Sequence, residues 1–258
     1  MESRALYEFG AFVAGSPLLR MIGRGDRHPV LVIPGFATTD ASTRPLRWAL
    51  RSQGYWVHGW HQGRNIPSAA LLAGLPARLS ELRERHGAKV SIVGASLGGV
   101  YARELARAQP DAVRQVITLG SPFRMRPGDR STLSGLVDRF GPAMPQMPGS
   151  ALPEQERPPV QVPVTCIYTR TDGVVRWHAS IEAEGPEREN VEVTGSHSGL
   201  GTNLSALVVI LDRLAQREGE WKPFRRTALR RQIYAPPVWW QPRPDAEPTS
   251  ATRSDANQ

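Results

Sequence analysis

The chain has 258 residues, a hydrophobic fraction of 40% and a formal net charge of +8, which suits one α/β domain with short appendages. Residues 222–258 carry +4 of that charge, and no dense basic stripe with interleaved aromatic side chains is found elsewhere, which argues against nucleic-acid binding. The single cysteine, Cys166, excludes an internal disulfide. Six scattered histidines without ligand spacing argue against a metal centre.

Residues 1–28 are predicted to form an N-terminal helical segment. The apolar stretch at residues 5–22 is interrupted by Glu8, Pro17 and Arg20, so it is a poor transmembrane candidate, and the first residues do not open a signal peptide. We expect the segment to pack against the domain, with an amphipathic helix on a membrane surface as the alternative. A cytoplasmic location is the default, with peripheral membrane contact left open.

Short apolar runs alternate with longer helical patterns along residues 29–221, which we take as an α/β domain. Strands separated by helices predict a three-layer fold, in which a mostly parallel sheet of about six strands is covered on both faces. Ligands of such sheets bind beyond the carboxyl ends of the strands. The strands are predicted at residues 30–33, 55–60, 89–93, 113–119, 162–168 and 191–193, and the helices at 43–53, 68–82 (with a kink or a new start at Pro76), 97–109 and 204–217.

Two proline-rich stretches break this alternation. The insertion at about residues 122–161 is predicted to be a functional loop or lid, with one short amphipathic helix over the cleft. Residues 222–258 have the composition of a basic, poorly ordered tail, within which the pair Trp239-Trp240 is expected to dock on the domain or, alternatively, to touch a membrane. The apolar positions of the lid helix are Leu133, Leu136, Val137 and Phe140.

The sequence Gly-Ala-Ser-Leu-Gly at residues 94–98 lies between a predicted strand and a predicted helix. A serine on such a sharp turn has its hydroxyl exposed above the sheet, and Gly94 and Gly98 remove the side chains that would block the turn. Ser96 is therefore the candidate nucleophile. The alternative is that Ser96 is merely a helix N-cap or part of a phosphate-binding nest.

A serine nucleophile needs a histidine base, and the histidine needs a carboxylate that fixes its tautomer. Asp172 follows the fifth predicted strand and His197 follows the sixth, so acid and base occur in the chain order expected for this fold. Asp172 could instead cap a helix that starts near Val174, and His197 could be a surface residue. The alternative acids are Asp129 and Asp138, the fallback base is His178, His61 is a candidate for the cleft wall, and His28, His58 and His86 are expected to be structural or exposed.

The negative oxygen of an acyl-transfer transition state needs preorganised donors. One donor is expected to be the backbone N–H of Leu97, which follows the nucleophile at the start of a helix. The other is expected from the loop after the first strand, where Gly35 lets the chain bend and places the N–H of Phe36 towards the substrate.

Over about residues 29–217 the chain resembles the α/β-hydrolase superfamily, in its bacterial lipase/esterase-like branch. The resemblance implies an acyl-enzyme on Ser96, Asp172 as orienting acid, His197 as base, oxyanion amides at Phe36 and Leu97, and no cofactor. Two departures are Pro34-Gly35, where many members have His-Gly, and the small number of residues before the first strand, which implies a minimal sheet. The matching segments are residues 32–36, 94–99, 119–122, 172–175 and 195–197.

The sequence thus predicts a serine carboxylic-ester hydrolase whose partner is a small hydrophobic ester. Two alternatives stay open. An acyltransferase would pass the acyl group to an acceptor other than water, and a non-catalytic binding module would keep the fold without the reaction.

Overall fold

The computed structural model describes residues 4–15, 25–125 and 153–241. Six strands form one sheet in the order β2-β1-β3-β4-β5-β6, and every neighbouring pair is parallel. The chain winds outward from the middle of the sheet in both directions, so the switch point lies between β1 and β3. The strands are β1 (Pro29–Ile33), β2 (Trp56–Gly59), β3 (Val90–Ala95), β4 (Val113–Leu119), β5 (Val164–Tyr168) and β6 (Arg188–Glu192).

Helices cover both faces of this sheet. Side chains alternate along β1, where Val30 and Val32 join the core on one face and Leu31 and Ile33 join the core on the other. The first core is shared with α1, α2 and α5, and the second with α3 and α4. The helices are α1 (Arg4–Gly15), α2 (Arg44–Ser52), α3 (Ala69–His86), α4 (Leu97–Ala108) and α5 (Leu204–Leu214).

The predicted three-layer α/β fold with about six strands is confirmed, and the boundaries of most elements agree within a few residues. The suggested new start at Pro76 is wrong, because α3 runs unbroken from Ala69 to His86 with Pro76 inside it. Ser68 caps its first turn by accepting a hydrogen bond from Leu71 N at 3.2 Å. Buried leucines on both sides of the proline hold the helix on the sheet and offset the missing backbone donor.

The N-terminal helix α1 packs against the domain. Phe12 is 3% exposed and belongs to the same core as α2 and α5, and it makes an edge-to-face ring contact with Trp48 of α2. Among the residues that the structure describes, no helix combines the length and the hydropathy that a membrane span requires.

The two proline-rich stretches are described in part. Residues 126–152, with the predicted lid helix, lie outside the described residues. Where the insertion ends, Glu154 is buried and pairs with Arg103 of α4, whose other terminal nitrogen lies 2.6 Å from Glu182. Burial opposes ionisation of Glu182, but its ion pairs with Arg103 and Arg124 outweigh that effect and lower the pKa of its carboxyl.

Residues 222–241 lie along the β6 edge of the domain rather than forming a loose tail. Phe224 and Tyr234 are buried, Phe224 N donates to Glu189 Oε1 at 2.8 Å, and Trp240 N donates to Glu182 O at 2.9 Å. The buried aromatic rings account for this attachment, which a count of charges and prolines does not register. The remaining residues of the predicted tail, 242–258, lie outside the described residues.

Candidate active site

Ser96 occupies a strained turn between β3 and α4. Its φ of 50° and ψ of −121° lie in a region that non-glycine residues rarely adopt, and such strain is typical of functional positions. Its backbone N–H donates to Leu119 O at 2.8 Å, which fixes the turn above the end of β4. The Ser96 side chain makes no capping hydrogen bond to α4, so the N-cap interpretation of this serine is not supported.

Three glycines let the backbone close around this turn. A Cβ atom on Gly94 would lie 2.4 Å from Gly98 O, and one on Gly98 would lie 2.4 Å from Ile33 O. One on Gly99 would lie 2.0 Å from Ser121 Oγ. Contacts this short are sterically forbidden, so β1, β3 and the start of α4 can approach one another only because these positions carry no side chain.

Asp172 and His197 form a buried pair at the ends of β5 and β6. His197 Nδ1 lies 2.7 Å from Asp172 Oδ2, and the two side chains are 11% and 2% exposed, respectively. The other oxygen, Asp172 Oδ1, accepts hydrogen bonds from Val174 N at 2.8 Å and Val175 N at 2.7 Å. One carboxylate therefore closes its own turn and fixes the imidazole, so the capping and catalytic interpretations of Asp172 are compatible.

Gly120, which lies in the matching segment 119–122, was given no role by the sequence but lies against the acid–histidine pair. It follows β4 with a positive φ of 55°, and a Cβ atom there would lie 3.2 Å from both Asp172 Oδ2 and His197 Nδ1. The chain passes close behind the acid–histidine pair, and any side chain would press on it. A glycine directly after a strand was the available signal.

Ser96 and His197 line the same cavity, which has a volume of about 380 Å³. It opens at the carboxyl ends of β1, β3 and β4 and extends along the face of the sheet that α2 covers. The lining is mostly apolar, as is typical of sites for hydrophobic ligands. The lining residues are Val32, Gly35, Phe36, Thr38, Ser42, Thr43, Leu46, Val93, Ala95, Ser96, Leu119, Val174, His197, Ser198, Leu200 and Gly201.

The loop after β1 passes directly over the nucleophile. A Cβ atom on Gly35 would lie 3.3 Å from Ser96 Cβ, and Phe36 lines the cavity. Asn65, which is fully buried, holds this loop by donating from Nδ2 to Pro34 O at 2.7 Å, and its backbone is hydrogen-bonded to Ala37 and Thr38. The candidate oxyanion donors are thus the Phe36 amide, on a braced loop, and the Leu97 amide at the start of α4.

The other histidines are not among the residues that line this cavity. His28 contacts Asp26 and Ser91, His178 packs edge-to-face on Trp177, and neither they nor His61 line the cavity wall. His58 Nε2 lies 2.8 Å from His86 Nε2, and burial, together with His86, lowers the pKa of His58 to about 4. The alternative acids Asp129 and Asp138 lie outside the described residues.

The free thiol of Cys166 is fully buried in β5. Burial raises its pKa to about 12, so the thiolate required for nucleophilic attack is scarce at neutral pH. Within the described ranges, no group of three or more His, Cys, Asp or Glu is arranged to hold a metal ion.

Comparison with known proteins gives a match at the level of structure. No protein-family model and no curated protein sequence matches the chain. A structure from the metagenome-derived lipolytic enzymes LipS and LipT aligns with a TM-score of 0.55 at 21% identity, over 74% of this chain and 93% of that one. The monoacylglycerol lipase of Paleococcus ferrophilus gives 0.53 at 15% identity, over 75% and 96%. The pyrethroid hydrolase PytH gives 0.53 at 18%, over 75% and 99%.

The parallel six-stranded sheet, its helical layers and these neighbours define one fold class. The chain has the α/β-hydrolase fold, in a small form whose described sheet consists of the six parallel strands. Function is a separate question, because one fold supports many activities.

Proposed function

We propose that this protein is a serine hydrolase that cleaves carboxylic esters with a hydrophobic acyl group. The observation that carries the proposal is one apolar cavity lined by both Ser96 and His197, with Asp172 Oδ2 lying 2.7 Å from His197 Nδ1. The proposal is also supported by the structural neighbours, which are lipolytic enzymes and a pyrethroid hydrolase.

In the proposed reaction, Ser96 Oγ attacks the ester carbonyl while His197 Nε2 takes its proton. Asp172 holds the Nδ1–H tautomer, which leaves Nε2 free to act as the base. The negative oxygen is stabilised by the amides of Phe36 and Leu97. His197 then protonates the departing alcohol, and water, activated by the same imidazole, releases the acid from the acyl-enzyme and restores Ser96.

The direct test compares the wild-type protein with Ser96→Ala in hydrolysis of p-nitrophenyl butyrate and in labelling by a fluorophosphonate probe. We expect kcat to fall by roughly 10⁴-fold or more, because loss of the nucleophile removes the covalent route. Labelling is expected to disappear. Ser52→Ala is the matched control, since Ser52 is an exposed serine on α2 outside the cavity lining, and it should keep both activities. If Ser96→Ala hydrolysed the ester as fast as the wild-type protein, the mechanism would be ruled out. Ester products formed with competing alcohols would indicate acyl transfer instead of hydrolysis.

The apolar cavity is proposed to hold the acyl chain. Its inner wall includes Val32, Val93 and Leu119 from the sheet and Leu46 from α2, so a longer acyl chain can enter from Ser96 towards α2. Burial of each additional methylene group contributes about 0.8 kcal/mol. This size and polarity favour an ester of a flexible aliphatic acid.

Filling the cavity should shorten the preferred acyl chain. Leu46→Trp places a larger side chain in the inner wall, and we expect the ratio of kcat/KM for the octanoate ester to that for the acetate ester to fall by at least ~10-fold. The ratio is independent of how much protein is folded. Arg44→Trp is the control, because Arg44 is exposed on the same helix. An unchanged ratio in Leu46→Trp would place the acyl chain elsewhere.

A further inference from the structure

The turn that carries His197 lies outside the sheet and is held by contacts from other elements. Thr171 Oγ1 donates to Gly195 O at 2.6 Å, and Asn203 Nδ2 donates to Thr194 O at 2.9 Å. These contacts fix the start of the turn. Both contacts lie before Ser196 in the turn.

Ser196, the residue before His197, is contacted by α1, more than 180 residues earlier in the chain. Glu8 Oε1 accepts a hydrogen bond from Ser196 N at 2.8 Å, and Glu8 Oε2 accepts one from Ser196 Oγ at 3.1 Å. Ser196 Oγ in turn accepts from Gly199 N at 3.1 Å. One carboxylate therefore binds the residue before His197 directly and reaches the residue two positions after it through the serine hydroxyl.

The fit around this carboxylate is close. Glu8 is 8% exposed, although a carboxylate is rarely placed inside a protein without a specific partner. A Cβ atom on Gly199 would lie 1.3 Å from Glu8 Oε2, and one on Gly195 would lie 3.1 Å from Glu8 Oε1. The turn is therefore shaped around the Glu8 carboxylate and has no room for a side chain on that side.

We propose that Glu8 is a positioning residue for His197, so that α1 forms part of the catalytic apparatus rather than only of the hydrophobic core. Glu8 is not among the residues that line the cavity; its carboxylate holds the turn on both sides of the histidine. Placement of a base within a fraction of an ångström controls proton transfer. The inference rests on the proposed serine hydrolase function, since it assigns Glu8 a role through His197.

Removal of the carboxylate is expected to impair the chemical step and not substrate binding. In Glu8→Ala, kcat for p-nitrophenyl butyrate should fall by ~10–100-fold, the range expected for a displacement of about 1 Å at a catalytic group. KM should change little, and fluorophosphonate labelling should slow by the same factor as kcat. Glu8→Gln retains an oxygen that can accept from Ser196 N, so it should restore a large part of kcat. Gly10→Ala is the control on α1, because a Cβ atom there meets nothing within 4 Å.

A second pair of variants tests the contact itself. Gly199→Ala forces a methyl group against the Glu8 carboxylate and should lower kcat in the wild-type background. In Glu8→Ala the space is free, so adding Gly199→Ala should cost much less there than in wild type. This non-additivity is the expected sign of direct contact, and it remains measurable if Glu8→Ala also lowers Tm.

The outcomes separate the two proposals. If wild-type protein is active and Glu8→Ala keeps its kcat, or if Gly199→Ala costs the same in both backgrounds, the positioning role is wrong while the hydrolase function stands. A rise in KM with unchanged kcat also contradicts it. If wild-type protein neither hydrolyses esters nor reacts with the probe, the hydrolase function fails, and the role of Glu8 fails with it.

Discussion

Asp172→Asn is expected to lower kcat for ester hydrolysis by about 10⁴-fold while leaving the fold intact. The asparagine carbonyl can replace Asp172 Oδ1, which accepts from Val174 N and Val175 N. The NH₂ group of the asparagine then faces His197 Nδ1, in the place of Asp172 Oδ2, which lies 2.7 Å from that nitrogen in the wild-type protein. An N–H directed at Nδ1 favours the opposite tautomer, in which Nε2 carries the proton and cannot accept one from Ser96.

The measurement is kcat for p-nitrophenyl butyrate, together with thermal unfolding of the same samples. Tm should stay close to that of wild type, because shape and turn hydrogen bonds are retained. Asp111→Asn provides the control, since Asp111 is exposed beside the start of β4, and it should leave kcat unchanged. A variant at Asp172 that kept kcat within tenfold of wild type would show that this carboxylate does not set the tautomer.

Local patterns in the sequence were sufficient to predict the strands of the sheet and their parallel arrangement. Most strands are short apolar runs, and the helices of the domain have apolar positions at helical spacing. The β4 boundaries could therefore be predicted to the residue and the others within a few residues, although β6 (Arg188–Glu192) is mostly polar. The parallel arrangement follows from the alternation, and it places the carboxyl ends of β3, β5 and β6 at one edge. Ser96, Asp172 and His197 could be nominated for this reason, as each follows one of those strands.

Contacts between distant segments were not predictable in the same way. Glu8 was visible as a charge that interrupts an apolar stretch, but nothing local indicates that its carboxylate meets Ser196, 188 residues along the chain. Asn65 and Gly120 likewise act through contacts with other loops. Attachment of residues 222–241 depends on where the rings of Phe224 and Tyr234 are buried, and composition does not contain that information.

The residues that support the site thus come from both ends of the described chain. Glu8 of α1 braces the histidine turn, and residues 222–241 cover the β6 edge through Glu189 and Glu182. The outermost strand β6 directly precedes the turn with His197. An edge strand presents a row of unpaired backbone groups, so the cover on β6 and the brace on its turn both support the position of His197, the proposed base.

The serine turn is held differently, by close contact of backbone atoms, and Gly94→Ala should disrupt it severely. The new methyl group would lie 2.4 Å from Gly98 O and 2.5 Å from Gly99 Cα. Side chains can rotate away from such a clash, but these are backbone atoms. Gly98 cannot retreat either, because its own Cα side faces Ile33 O and Pro34 O. We expect a loss of about 3 kcal/mol in the free energy of unfolding, at the upper end for overpacking.

A loss of that size corresponds to a fall in Tm of roughly 6–12 °C for a chain of this length. The fraction that remains folded should also have a low kcat, since relief of the clash must move α4 and thereby both Ser96 and the Leu97 amide. Gly185→Ala is the matched control, because its new Cβ atom would meet its nearest neighbour, Arg188 Cγ, at an ordinary 3.6 Å. Tm is measured by scanning calorimetry for both variants, and kcat is measured per folded molecule. If Gly94→Ala kept the Tm and the kcat of wild type, β3 and α4 would not be as close together as this turn requires.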